Sequence, residues 1–168
     1  MGRDKATVEF DGQPLWQRQI GILRELRPEN IFISARTRPS WFSDDAALLL
    51  DDPPSRGPLS GLTKALAAMR TTHLIALAVD MPFMTSEQLA ILRELAAESR
   101  GVVPVIGERA EPLAAIYPAE AAVDFATALA GTDFSLQPVI RNLAAEEKVR
   151  LLAVPAQDEG LYRSVNEP

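Results

Sequence analysis

Two kinds of apolar pattern alternate along the chain. The segments "ATVEF", "NIFISA", "ALLLDD", "HLIALAVD", "VVPVI", "PLAAIYP" and "VRLLAVP" are short and aliphatic, and several are bounded by Gly, Pro, Asn or Asp, the signature of strands. Between them lie longer stretches with apolar positions three or four apart, as amphipathic helices require. "LWQRQIGILREL" places Trp16, Ile20 and Leu23 on one face, with Pro14 suited to its first turn. "GPLSGLTKALAAMR" opens on Pro58, and "TSEQLAILRELAAES" carries Thr85 or Ser86 as an N-cap. "AEAAVDFATALA" and "LQPVIRNLA" predict two more helices. "HLIALAVD" is apolar on both faces and predicts the most deeply buried strand. Asp11-Gly12 supplies a turn, and "GERAE" separates two strands as a polar hairpin.

Strand alternating with helix predicts an α/β fold, a Rossmann-like doubly wound, mostly parallel sheet with helices on both faces. With 168 residues and no linker or repeat, the chain reads as a single domain over 1–168. A net charge of -6 argues against general nucleic-acid or anionic-membrane binding, while leaving room for a local basic pocket. There is no cysteine, which removes thiolate catalysis and Cys-ligated zinc. His73 is the only histidine, so neither a Ser-His-Asp triad nor a multi-His metal site is available, and it reads as structural. No apolar stretch is long enough to span a bilayer. The first residues lack a secretion-signal core, and Ala6 breaks the myristoylation pattern; the expectation is a cytoplasmic protein.

Ligands of open α/β sheets bind at the carboxyl ends of the strands, and three polar segments fall there. Asp80 follows the apolar run "LIALAV" and suits Mg²⁺, a hard ion that takes carboxylate oxygens; alone it reads equally as a turn or cap residue. "DDPPSRGPLSGL" places Gly57 and Gly61 around a helix start, where backbone N–H groups favour acceptors and glycine permits close approach. Asp51 or Asp52 before it suits a base or ribose, or a solvated turn. In the opening stretch, Lys5 is a compact cation able to meet a triphosphate, beside Gly2, with Arg3 and Asp4 as surface charges.

Together "MGRDKATVEFDGQPLWQRQIGIL", "GPLSGL", "LAVDMPF", "EPLAAIYP" and "SVNEP" resemble, in order and spacing, the molybdenum cofactor guanylyltransferase family over essentially the whole chain. The resemblance implies transfer of GMP from GTP to molybdopterin carrying molybdenum, with Mg²⁺ as cofactor and other proteins of molybdenum cofactor biosynthesis as partners. It further implies that Lys5 neutralises triphosphate charge and that Asp80 binds the metal. Gly2, Gly57 and Gly61 match loop glycines, and Asp52, with Asp51 adjacent, matches the acid after the third strand. Asn166 matches the second asparagine of a terminal Asn-x-Asn-Thr-Pro motif, in which Ser164 and Glu167 depart from the pattern. Ser34 stands where family members carry a nucleotide-contacting asparagine. Family members begin with an apolar strand running into Leu-Ala-Gly-Gly, which is absent before Met1; the expectation is an N-terminally truncated domain. The resemblance leaves three alternatives: a molybdopterin cytidylyltransferase, a sugar-phosphate nucleotidyltransferase, or an inactive partner-binding relative.

Overall fold

The structure, a computed structural model, describes residues 4–43 and 46–165. Lys5–Thr7 form one 3-10 turn where "ATVEF" predicts a strand, because Asp4 caps it through a bond from Ala6 N. Only β1 (Glu9–Phe10) extends, pairing with β2 (Gln13–Pro14) across Asp11 and Gly12, both at positive φ. Helix α1 (Leu15–Glu25) starts directly after Pro14. It buries Leu15, Gln19 and Ile22, whereas Trp16, Ile20 and Leu23 are only half-buried. Trp16 instead stacks on Trp41, ring centroids 5.0 Å apart.

Next come β3 (Phe32–Ala35), β4 (Ala47–Leu50), α2 (Pro58–Ala68), β5 (His73–Leu77), α3 (Ser86–Leu95) and β6 (Gly101–Ile106). The chain continues through β7 (Arg109–Ala110), β8 (Ala114–Pro118), α4 (Ala122–Ala130), α5 (Leu136–Ala145) and β9 (Val149–Ala153). Strands β3 and β4 pair in parallel. A second, five-stranded sheet runs β5-β8-β6-β7, with β9 parallel to β6 along its other edge. The polar hairpin returns the chain beside β6, so β8 runs antiparallel to both β5 and β6, and the sheet is mixed.

Successive side chains of a strand point to opposite faces, and both faces are covered. Val102, Ala114 and Ile116 pack with Ile22 of α1 and Leu89 and Leu92 of α3. Their neighbours Val103, Ala115 and Tyr117 pack with Leu59 of α2, Phe125 of α4 and Leu143 of α5. The α/β architecture with helices on both faces is therefore present. Gly101 has a steric reason: a Cβ there would lie 2.0 Å from the Ile116 carbonyl oxygen of the adjoining strand.

The deepest strand is β8, buried at all five positions, not β5, where only Ala76 is buried. Among the described residues, β5 pairs as a strand only with β8 and β3 only with β4. Each thus has one unpaired edge, and α2 rests against β3, β4 and β5. His73 is structural, its ring nitrogens 3.0 Å from the Ala97 carbonyl oxygen and from Thr72 Oγ1.

Candidate active site

The turn after β5 carries Asp80 past the strand's carboxyl end. Ala78 N still donates to Leu113 O at 2.7 Å, so the chain leaves the sheet only then. Asp80 Oδ2 lies 3.4 Å from Lys5 Nζ, with the two side chains 22% and 55% exposed. A long, half-solvated ion pair of this kind is worth about 0–1 kcal/mol, weak enough for either partner to exchange it for a ligand. Lys5 arrives from the 3-10 turn, which the bond from Leu15 N to Val8 O ties to the start of α1.

A second group of residues lies around α2. Gly57 precedes the helix at φ 66 and ψ -143, a conformation open in practice to glycine alone. No side chain caps α2; Pro58 carries no N–H and Ser60 N donates to Gly57 O at 3.0 Å, so what the helix start offers an acceptor is chiefly the positive end of its dipole. The Ser60 hydroxyl instead accepts from Arg56 N at 2.8 Å, bracing the loop. Gly61 lets the helix meet β3: a Cβ there would sit 2.3 Å from Ser34 Oγ. The adjacent acids diverge. Asp51 accepts from Ser55 Oγ at 2.6 Å and from Ser34 Oγ at 3.4 Å. Asp52 is 87% exposed in its side chain and pairs with Lys64 Nζ at 2.8 Å. The acid wired into this loop is Asp51, and Asp52 faces solvent.

The structure thus brings Lys5 to Asp80, and Ser34 to Gly61 and Asp51. Gly2, Arg3 and Asn166 lie outside the described residues. Asp4 is more than a surface charge, since its second carboxylate oxygen accepts from Trp41 Nε1 at 3.0 Å. Beside Met81 opens a cleft of about 740 Å³ lined by Pro58, Arg109, Glu111, Phe134 and Gln137 among others. Gln137 fixes one wall, its amide accepting from Ala110 N and donating to Ala110 O. Across that rim, the Arg56 guanidinium lies over the Phe134 ring, 4.3 Å from its centroid.

Arg18 and Gln19 were not among the residues the sequence pointed to. Gln19 Nε2 donates to Met81 O and Arg18 Nε to Pro82 O, each at 2.6 Å. The available signal was a glutamine on the apolar Leu15–Ile22 face.

Comparison with known proteins decides the family. The model of the MobA-like NTP transferase domain matches residues 1–162. This chain belongs to that family. A protein of Opitutus terrae named "Probable molybdenum cofactor guanylyltransferase" is 32% identical over 100% of this chain and 85% of its own length. The molybdenum cofactor guanylyltransferase of Pseudomonas fluorescens is 38% identical, over 70% of this chain and 60% of that protein. The crystal structure of molybdopterin-guanine dinucleotide biosynthesis protein A from Archaeoglobus fulgidus superposes with a TM-score of 0.74. It shares 20% identity, covers 99% of this chain and 86% of that one, and supports the nucleotidyltransferase fold.

Proposed function

We propose that this MobA-like transferase domain, residues 1–168, moves GMP from GTP to molybdopterin carrying molybdenum, releasing pyrophosphate. The observation that carries the reading is the match, over the full chain, to a relative named for guanylyl transfer. The rim supplies groups suited to that chemistry: a half-exposed cation weakly paired to a carboxylate, a glycine-flanked helix start and an open cleft beside them.

In this mechanism a phosphate oxygen of the pterin attacks the α-phosphorus of GTP. The bond between α- and β-phosphates breaks, and pyrophosphate leaves with the electron pair. Lys5 offsets charge on the leaving phosphates, and the positive end of the α2 dipole favours phosphate oxygens. Asp51, steadied by Ser55, and Ser34 stand on the same side as the loop that receives the nucleoside. The acceptor occupies the cleft bounded by Phe134 and the Gln137-pinned hairpin. No protein nucleophile is needed, so catalysis rests on position and electrostatics.

Among the described residues no group of three or more His, Cys, Asp or Glu side chains converges. That donor set fits Mg²⁺ brought in with a nucleotide, because this ion keeps several waters and binds through one or two carboxylates plus substrate phosphates. Asp80 would hold it. When bound, Mg²⁺ supplies charge neutralisation at the phosphate oxygens.

The test is pyrophosphate release with a panel of nucleoside triphosphates, Mg²⁺ and molybdenum-loaded molybdopterin. Release with GTP and formation of the guanine dinucleotide are expected. Turnover of CTP instead would make the chain a cytidylyltransferase, and turnover of none would overturn the transferase reading.

A further inference from the structure

Asp80 sits in a stretch that neither sheet nor helix holds. The turn between β5 and α3 is fixed instead by bonds to three consecutive carbonyls, Asp80 O from Val165 N, Met81 O from Gln19 Nε2 and Pro82 O from Arg18 Nε. Two of those donors are adjacent residues of α1. The same helix fixes the other member of the pair, because Leu15 N holds Val8 O at the end of the Lys5 turn. The first two turns of α1 therefore hold main chain close to both Lys5 and Asp80.

Gln19 is costly where it stands. It is 5% exposed between Leu15 and Ile22, and its Oε1 is buried without a hydrogen-bond partner among the described residues. Burying a half-satisfied amide in an apolar face is unfavourable, and an aliphatic residue of similar size would serve packing better. What the amide provides that an aliphatic group cannot is the bond to Met81 O. Arg18 is held for the same task, its guanidinium 5.5 Å from the centroid of Phe10, which meets Phe83 of the turn edge-on at 5.2 Å.

We infer that Gln19 and Arg18 are positioning residues, which lock the main chain at Met81 and Pro82, immediately after Asp80, so that the Asp80 carboxylate is pre-set for a phosphate-bound divalent cation. The inference rests on the reading of Asp80 as the metal carboxylate. Groups that hold a metal ligand in place typically change metal affinity by about 10–100-fold when removed.

The test uses Gln19→Leu and Arg18→Met in the full chain, with Asp80→Asn alongside. Binding of Mn²⁺ in the presence of GTP is measured by water-proton relaxation, together with melting temperature and the Mg²⁺ dependence of turnover. Gln19→Leu should melt at or above the wild-type temperature, yet bind Mn²⁺ about tenfold more weakly or worse. Its half-saturating Mg²⁺ concentration should rise while turnover at saturating Mg²⁺ recovers towards wild type, a separation that a purely structural role would not produce. Arg18→Met acts on the neighbouring carbonyl and should shift Mn²⁺ affinity in the same direction, so the inference stays testable if Gln19→Leu folds poorly. Wild-type Mn²⁺ affinity in folded Gln19→Leu and Arg18→Met, with binding lost in Asp80→Asn, overturns the positioning role alone. Unchanged Mn²⁺ binding in Asp80→Asn overturns the metal reading and this inference with it.

Discussion

Replacing Asp80 by asparagine separates chemistry from architecture more sharply than any other single change. Asparagine has nearly the same shape, and the turn is anchored through its main-chain carbonyls, which the substitution leaves in place. Among the contacts the fold loses is the charge facing Lys5 at 3.4 Å, in a pair with side chains 22% and 55% exposed. At that distance and exposure the loss is about 0–1 kcal/mol, a small shift in melting temperature. The transition state loses more. Removing a pre-organised electrostatic group from a reacting phosphate costs about 10²–10³ in turnover, or about 2.7–4 kcal/mol of barrier. The assay is GTP-dependent pyrophosphate release across a Mg²⁺ titration, with thermal melting on the same sample. Were Asp80 only a cap or turn residue, about 0.5–2 kcal/mol of stability would disappear with activity per folded molecule intact. Wild-type turnover in Asp80→Asn would refute the assignment outright.

Gly61→Ala should destabilise despite a helix-propensity gain of about 1 kcal/mol. The new Cβ meets Ser34 Oγ at 2.3 Å, overpacking that typically costs about 1–3 kcal/mol. Urea unfolding of Gly61→Ala, Ser34→Gly and the double variant should show a favourable coupling between them; strict additivity would refute the contact. Burial pushes the Tyr117 hydroxyl above its ordinary value of 10.0, and burial does the same to Tyr162. For both, the stabilising contribution is present below the unfolded value and is lost as pH rises through the folded one. Tyrosinate absorbance should therefore appear together with alkaline unfolding, and a native titration of both groups near pH 10 would contradict this. Lastly, an apolar strand fused ahead of Met1 should raise the melting temperature and slow amide exchange in β5, since β5 and β3 each have an unpaired edge among the described residues. Unchanged melting and exchange would show that these edges accept no strand.

Much of the fold is readable from periodicity because strands and helices differ in how often an apolar residue must recur. The apolar run of β5, the Thr85 cap of α3 and the Pro58 start of α2 all lie where those rules put them. Periodicity says nothing about neighbours, however. "HLIALAVD" and "PLAAIYP" look alike as strings, yet β8 has partners on both sides and is buried throughout, while β5 has one. Strand direction was partly legible: the "GERAE" hairpin announces an antiparallel return beside β6, but nothing in the string places β8 antiparallel to β5 as well. In α1, Trp16 stacks on Trp41, a residue distant in sequence that periodicity does not point to. The site divides in the same way. Asp80 and Gly57 follow from local rules about strand ends and helix starts. The different fates of Asp51 and Asp52 depend on Ser55 and Lys64 after the chain has folded back.

These differences share a physical origin. The deepest packing surrounds β6 and β8, where both helical layers close over alternating side chains. The candidate site is built mainly on the other half, from β3, β4, β5, α1 and the start of α2, whose strands are only partly buried. A well-packed half supplies stability that tolerates little change of volume, so its sequence obeys simple apolar patterns. The rim half is held by individually specified polar bonds, such as Gln19 to Met81 and Ser55 to Asp51, across sequence separations of 62 and 4 residues. Such bonds leave little trace in periodicity, because a single polar residue on an apolar face reads as an interruption. Interruptions of that kind therefore mark where a fold has traded packing for position, and in this chain Gln19 lies one bond from the turn that carries Asp80.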